Sequence, residues 1–152
     1  MISHQSLEKI KETVQEFFQK ADFEVDAEIL ALENEIVSIK IKMEDPKVLI
    51  GKNGQTLSDI QHLLKAILRH KIDEHFYLDV DVNDYKKKKI EYLKETVRSL
   101  ADEVVLTKKE QTLAPMSAYE RRIVHLELAH REDITTQSIG EGPERRIVIR
   151  PA

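Results

Sequence analysis

Two glycines three residues apart, Gly51 and Gly54, constrain the fold more than any other feature of this 152-residue sequence. The chain has only four glycines, and this pair encloses Lys52 and Asn53 between an apolar run and an amphipathic segment. Glycine at such a junction lets the backbone turn sharply or approach another group closely. The pair therefore predicts either a tight turn between two helices or a loop that holds the phosphate of a ligand.

Hydrophobic periodicity predicts the elements around this loop. Apolar residues recur every three or four positions, as on the buried face of a helix, in two segments: residues 6–21 and 55–72. Apolar and polar residues alternate, as in strands, in three segments: residues 24–33, 35–43 and 76–82. Pro46 opens a short helical turn that ends at Ile50. The predicted order up to residue 83 is helix, strand, strand, helix, helix, strand.

A second unit is predicted from Asp84 onward. A helical pattern fills residues 84–106, and an extended segment follows at residues 111–116. Ser117 and Glu120 have the spacing of a capping box, which predicts a helix running from there to about residue 130. The chain closes with a strand, a loop rich in glycine and proline, and the strand of residues 145–150. Because Arg145 and Arg146 are adjacent in that strand, they are expected to point to opposite faces.

Charge and composition exclude several classes of protein. Residues 1–83 contain 10 Lys and Arg and 16 Asp and Glu, a net charge of −6, whereas residues 84–152 contain 14 and 12, a net charge of +2. A basic patch can therefore bind a polyanion although the whole chain has a net charge of −4. The absence of cysteine excludes disulfides and thiolate zinc sites. No apolar run is long enough for a membrane span or a signal sequence, so a cytoplasmic protein without membrane insertion is expected.

Residue patterns typical of catalysis are few. His70 and His75 are five residues apart, as are His125 and His130, which is poor spacing for metal ligands on one helix face. Nucleotide-binding and nucleophile-elbow motifs are absent. We therefore predict no enzyme activity, no metal and no cofactor. The alternative is a nuclease in which His125 acts as a general acid and base.

The glycine loop resembles that of the KH domain, a nucleic-acid-binding fold. The resemblance lies in the sequence IGKNG at residues 50–54 and the apolar residues Leu57 and Ile60 that follow. The order of predicted elements matches the type II form of that fold. Such loops clamp about four nucleotides of a single strand, helped here by the N-terminus of the following helix and by Lys52. The alternative is that the glycines only make a turn between helices.

The second unit resembles the Arg-x-x-x-His domain, or R-three-H domain, which is associated with single-stranded nucleic acid. The resemblance lies in APMSAYERRIVH at residues 114–125, with Arg121 and His125 four apart on one helix face, and in EGP and RRIVI nearer the end. Bacterial Jag-type proteins carry a KH domain followed by this domain. The resemblance implies an α+β protein: a type II KH domain (αββααβ) at residues 1–83, then a small α/β domain at residues 84–152 with a three-stranded sheet and two helices.

Three departures from the Jag-type pattern bear on these expectations. Many members carry a further N-terminal domain that this sequence does not include, so roles tied to that domain are not implied here. Gln137 stands where the family often has histidine, and Glu144 stands where it often has an aromatic residue. Both differences are expected to weaken a contact near the closing hairpin.

The predicted nucleic-acid-binding residues fall in two groups: Gly51, Lys52, Asn53 and Gly54 in the first unit, and Arg121, Arg122, His125, Arg145 and Arg146 in the second. Arginine can hold a phosphate with two parallel hydrogen bonds, and histidine can donate to a phosphate or stack on a base. The alternative is that His125 is buried and Arg121 pairs with a carboxylate. A lysine run, Lys86 to Lys89, is either a further anion contact or only a solvated face.

These features predict a protein that binds single-stranded RNA, with single-stranded DNA as a second candidate ligand. The resemblance implies an RNA chaperone or post-transcriptional regulator linked to cell-envelope growth and division, and a small KH-domain protein as a partner. The alternative is a protein-interaction regulator, in which the acidic segment DAEILALENEIV at residues 26–37 docks a basic partner on the same two-domain scaffold.

Overall fold

The computed structural model describes all 152 residues, which form two compact units, Met1–Lys86 and Lys87–Ala152. The division falls inside the helix Tyr85–Thr107. The domain boundary predicted after residue 83 stays a prediction. A continuous helix crosses the division between the two units, so no linker marks a boundary there.

A three-stranded sheet organises the first unit. Its strands are β1 (Asp26–Ala31), β2 (Ile36–Lys42) and β3 (Tyr77–Val82), in the order β1-β2-β3. β1 and β2 form the predicted antiparallel hairpin, whereas β3 returns parallel to β2 with Val82 beside Ile41. A parallel return needs a long crossover, and the segment between β2 and β3 supplies it with the short helix α2 (Lys47–Ile50) and the long helix α3 (Gln55–Lys71).

Helix α3 and the first helix, α1 (His4–Lys20), pack their apolar stripes on one face of this sheet. The residues that fill the core share a near-zero solvent exposure: Ile10, Val14, Phe18, Val37, Ile39, Ile41, Leu64, Leu68, Val80 and Val82. Each such side chain contributes about 1.5–3 kcal/mol by leaving water. The first unit thus has a core that fixes both ends of the loop between α2 and α3.

A carboxylate caps the start of α1. Glu74, beyond the end of α3, accepts hydrogen bonds from the backbone N–H and hydroxyl of Ser3 and from the hydroxyl of Ser6, at 2.7–2.9 Å. These bonds, led by that from the Ser3 hydroxyl, lower the pKa of Glu74 below its ordinary value. The contact joins residues about 70 positions apart and ties the N-terminus of the helix to the rest of the unit.

The second unit contains most of α4 (Tyr85–Thr107), the helix α5 (Ala118–Leu128) and three strands: β4 (Gln111–Thr112), β5 (Ile134–Ile139) and β6 (Arg146–Pro151). The sheet order is β4-β6-β5, and both pairs are antiparallel. The core of this unit consists of buried aliphatic side chains from both helices and the sheet: Val97, Ala101, Val104, Val124, Leu128, Ile134, Ile147 and Ile149. Arg131 closes one side with ion pairs to Asp102 of α4 and to Asp133.

The predicted α+β class, the αββααβ order and the second unit with two helices and three strands are confirmed. Two details of the prediction are wrong. Helix α5 ends at Leu128 rather than near residue 130, and β6 begins at Arg146, so Arg145 precedes the strand. The strand is shorter because Pro143 lies in a tight 3-10 turn, Gly142–Glu144, in which the Arg145 N–H bonds to the Gly142 carbonyl.

Candidate nucleic-acid interface

The loop IGKNG joins α2 to α3 through a tight turn with an unusual backbone. Gly51, Asn53 and Gly54 all have positive φ angles, 71°, 55° and 79°. Glycine adopts such angles at little cost, and asparagine tolerates them better than most residues. The loop conformation therefore follows from its sequence.

Space as well as backbone angle requires the two glycines. A Cβ atom at Gly51 would lie 2.1 Å from the Thr56 hydroxyl oxygen, and one at Gly54 would lie 2.9 Å from a ring carbon of Tyr85. Thr56 and Tyr85 thus fill the inner side of the loop. Lys52 and Asn53 are exposed on the other side. The loop is backed by the protein and open toward solvent.

The electrostatics of this loop favour an anion. The Lys52 amine makes no ion pair or hydrogen bond within the protein. Helix α3 has no acidic residue in its first turn, and no side chain caps its N-terminus. The first-turn N–H groups and the positive end of the helix dipole therefore face the loop without a side-chain cap and without an acidic residue in the first turn. A phosphate group placed there would meet a mobile cation and backbone donors together.

Helix α5 of the second unit begins with the predicted capping box. Ser117 and Glu120 bond reciprocally, and Glu120 also forms an ion pair with Lys89 at 3.1 Å. Burial raises the pKa of Glu120, but the hydrogen bonds from Ser117 and the Lys89 ammonium outweigh it, so the pKa lies below its ordinary value. The carboxylate is thus ionised at neutral pH with its charge compensated inside the domain.

Arg121 and His125 lie on one face of α5, and both are half-buried. The guanidinium of Arg121 donates to the Met116 carbonyl at 2.7 Å. The two ring nitrogens of His125 lie 2.8 Å and 3.2 Å from the hydroxyls of Thr136 and Ser138 on β5. Arg121 therefore binds a carbonyl rather than a carboxylate, and His125 links α5 to β5 without being sealed in the core. Arg121 keeps donors beyond the one it uses.

The remaining predicted arginines differ in whether their side chains have a partner within the protein. Arg122 and Arg145 are exposed, and their guanidinium groups have no partner in the protein. Arg146 instead bonds to the carbonyl and the carboxylate of Glu144. Met116 brings Arg121 and Arg145 together, because its N–H donates to the Arg145 carbonyl while its own carbonyl accepts from Arg121. We refer to Arg121, Arg122 and Arg145 together as the cationic cluster at the start of α5, because the first two lie in that helix and the backbone of Arg145 bonds to Met116 just before it.

The lysine run at the start of α4 divides between two roles. Lys86 bonds to Asp79 at 2.6 Å and to Gln61, and Lys89 pairs with Glu120. Lys87 and Lys88 are exposed and have no partner in the protein. Two of the four lysines therefore have partners within their own unit, and the other two are available to solvent.

Sequence reasoning missed two sets of residues that shape these surfaces. Tyr85, behind Gly54, lies 31 positions along the chain from the loop, and no local pattern connects them. Thr136 and Ser138, the partners of His125, alternate in a strand and so share one face. That alternation in the sequence ITTQSI is a signal that could have identified them.

Two other kinds of site are absent from the structure. No cluster of three or more His, Cys, Asp or Glu side chains is arranged to hold a metal ion. No helix has the length and apolar character needed to cross a membrane.

Comparison with known proteins gives matches over nearly the whole chain. The KH domain family model matches residues 8–91, and the R-three-H domain family model matches residues 91–151. Similar curated proteins are each named RNA-binding protein KhpB. That of Clostridium symbiosum is 31% identical over 93% of this chain, that of Lactiplantibacillus plantarum 33% over 90%, and that of Bacillus subtilis 37% over 74%.

This chain spans 64%, 41% and 55% of those three relatives respectively, less than two thirds of each. The two matched models follow each other in the order expected from the loop IGKNG and from the Arg121–His125 spacing. The chain belongs to the KH-domain family and, with an R-three-H domain after its KH domain, is a member of the Jag-type group.

Proposed function

We propose that this protein binds single-stranded RNA, with the loop IGKNG in one domain and the cationic cluster at the start of α5 in the other. The observation that carries the proposal is the geometry of the loop. It combines a positive-φ backbone, an exposed Lys52 without a partner, and an uncapped helix N-terminus. That combination suits a sugar–phosphate backbone and does not depend on the identity of the base.

The second domain adds free cations that can contact further phosphates. Arg122 and Arg145 have no internal partner, so no ion pair must break before they bind an anion. Two weak sites on one chain raise the joint affinity, because binding at the first increases the effective concentration of the strand at the second. We expect modest sequence preference, since backbone contacts dominate.

A double substitution in the loop tests this function. Lys52→Asp with Asn53→Asp replaces a free cation and a neutral side chain by two anions at exposed positions, so the fold should persist while RNA is repelled. Filter binding with a single-stranded oligonucleotide should show roughly a tenfold or greater loss of affinity, about 1.4 kcal/mol or more, and circular dichroism should show an unchanged spectrum. A matched control, Gln5→Glu with Lys109→Asp, changes the net charge equally at exposed positions elsewhere. Equal affinity in the two double variants would contradict the proposal.

The finer role rests on the family resemblance. We propose that the protein acts in the cytoplasm as an RNA chaperone or post-transcriptional regulator linked to cell-envelope growth and division. We also propose that a small KH-domain protein is its partner. Single-stranded DNA is the competing ligand, and direct competition between RNA and DNA strands of one sequence would separate the two. Crosslinking in cells followed by sequencing of the bound RNA would identify the target.

A second candidate function is docking of a basic protein partner. It is favoured by the hairpin β1–β2, where Leu30 and Leu32 are exposed beside Glu28 and Glu33, and where an open hollow of about 460 Å3 lies next to the hairpin turn. Salt separates the two functions, because each phosphate contact on a single strand lowers log K by about 0.7 per log unit of salt. If the ultraviolet absorbance of the purified protein shows that no nucleic acid co-purifies with it, the docking function would be favoured.

A further inference from the structure

Exposed aromatic rings are scarce in this protein. The chain has no tryptophan and four tyrosines. Tyr85 is half-buried behind the loop, and Tyr77 packs edge-on against His75. Among the tyrosines, Tyr92 on α4 and Tyr119 in the first turn of α5 have exposed rings that make no aromatic contact or hydrogen bond, at 72% and 68% exposure. Most of the surface of each of these two rings is therefore available to a ligand.

The surroundings of Tyr119 are cationic. Arg122 lies three residues further along α5, so the two side chains emerge side by side on the helix surface. Arg145 joins the same end of the domain through Met116. The adjacent carboxylate, Glu120, is turned into the capping box and the ion pair with Lys89. The Tyr119 ring therefore lies beside the guanidinium group of Arg122, which has no partner in the protein, and next to a carboxylate whose charge is already compensated.

We infer that Tyr119 is a base-stacking residue of the R-three-H domain, on which one nucleobase of a single strand lies while Arg122 and Arg145 hold neighbouring phosphates. This inference rests on the proposed function and deepens it. Every nucleobase has a π-face, so an exposed tyrosine among cations suits a strand of any sequence. Both ring nitrogens of His125 are bonded to hydroxyls of β5, so they are not available to hydrogen-bond a base. Stacking on Tyr119 would supply a contact with a base instead.

Two residues of the same domain provide matched comparisons. Leu126, on the same helix, is 64% exposed and apolar but has no π-face. Tyr92 has an exposed ring whose neighbours on α4 carry opposite charges: Lys88, four residues before it, and Glu95, three residues after it, are both exposed without a partner. The surroundings of Tyr92 are therefore mixed in charge rather than cationic. If apolar exposure alone bound the strand, removing any of these side chains would weaken binding. If a ring among cations binds it, only Tyr119 matters.

The first test measures affinity and its salt dependence. Tyr119→Ala should weaken binding of a single-stranded RNA by about 5- to 150-fold, the range for loss of one stacked base. The salt slope should stay unchanged, because no phosphate contact is lost. Arg122→Gln should reduce that slope by about 0.7. Tyr119→Phe, Leu126→Ala and Tyr92→Ala should all bind like the unchanged protein.

The second test uses the absence of tryptophan. Tyr119→Trp introduces the only tryptophan, which can be excited selectively over the three remaining tyrosines. Its emission should be quenched when RNA binds, because the indole stacks on a base. An abasic strand of equal length should bind without quenching. Tyr77→Trp, at a site 56% exposed in the other domain, should not be quenched by either strand.

The outcomes separate the two levels of the proposal. If the unchanged protein binds no RNA, the proposed function and the stacking inference both fall. If it binds RNA but Tyr119→Ala binds equally well and the indole of Tyr119→Trp is not quenched, the function stands and the stacking inference is overturned. If the abasic strand quenches that indole as strongly as the natural strand does, base stacking is likewise excluded.

Discussion

The two candidate surfaces of this protein are built in opposite ways. The loop IGKNG depends on backbone shape: its glycines carry no side chains because Thr56 and Tyr85 occupy the space behind them. The start of α5 is ordinary helix, and any binding there would depend on side chains. In the second domain, the ring of His125 is hydrogen-bonded to β5, whereas the side chains of Arg122 on α5 and Arg145 before β6 have no partner. The difference teaches that membership of a motif does not reveal whether a residue serves the ligand or the fold.

The largest expected effect comes from adding one methyl group to the loop. Gly51→Ala should destabilise the first domain by on the order of 3 kcal/mol, since a positive φ costs about 1–2 kcal/mol and overpacking costs about 1–3 kcal/mol. Gly142→Ala is the control, because its φ is also positive but nothing lies within 4 Å of the added Cβ; only about 1–2 kcal/mol should be lost there. Urea unfolding measures both. Equal losses would mean that packing behind the loop does not restrict it.

An intermediate effect is expected at the histidine of the second domain. His125→Ala should destabilise that domain by about 1–3 kcal/mol, because two half-buried hydroxyls lose their partner. Hydrogen exchange of the α5 and β5 amides would localise the loss. Thr136→Val, which removes one of the two hydroxyls, should cost about 1 kcal/mol. If His125→Ala instead loses much of its RNA affinity while the amide exchange rates stay unchanged, the imidazole binds the ligand. The contrast between His125 and the free arginines would then be wrong.

The smallest effect concerns pH and the capping carboxylate. The pKa of Glu120 is lowered in the folded protein, so its contribution to stability is present above its ordinary pKa of about 4.3 and is lost as pH falls through the lower folded value. Glutamine retains the capping geometry but not the charge. The free energy of unfolding, measured in urea at about pH 6 and about pH 3, should therefore fall less in Glu120→Gln than in the unchanged protein. An identical fall would show that the negative charge of Glu120, which accepts hydrogen bonds from Ser117 and pairs with Lys89, contributes nothing to stability.

Much of the fold could be predicted from local patterns. The helix periods, the strand alternation and the Ser117–Glu120 spacing each lie within one segment, and each gave the correct element. The boundaries were less certain, as the end of α5 and the start of β6 show, because helix and strand ends depend on hydrogen bonds to other segments. The tight turn of the loop IGKNG could be predicted, since positive φ angles and close approach are properties of glycine itself, but its support by Tyr85 could not.

The candidate site was only partly predictable. The sequence pointed to both groups of residues, but their availability could not be predicted: Arg146 is engaged by Glu144 and His125 by β5, while Lys52, Arg122 and Arg145 are free. Tyr119 was not singled out, because the exposure of a ring beside a helix cap depends on which face of the helix the core covers.

The sequence by itself determined the order of elements, the two domain families and the glycine loop, because periodicity, capping and glycine content act over a few neighbouring residues. The tertiary structure alone decided that Tyr85 supports Gly54, that β5 holds His125, and which cations remain without partners. Those contacts join residues 11 to 31 positions apart. They depend on how helices and sheet pack, and local residue patterns do not encode that packing.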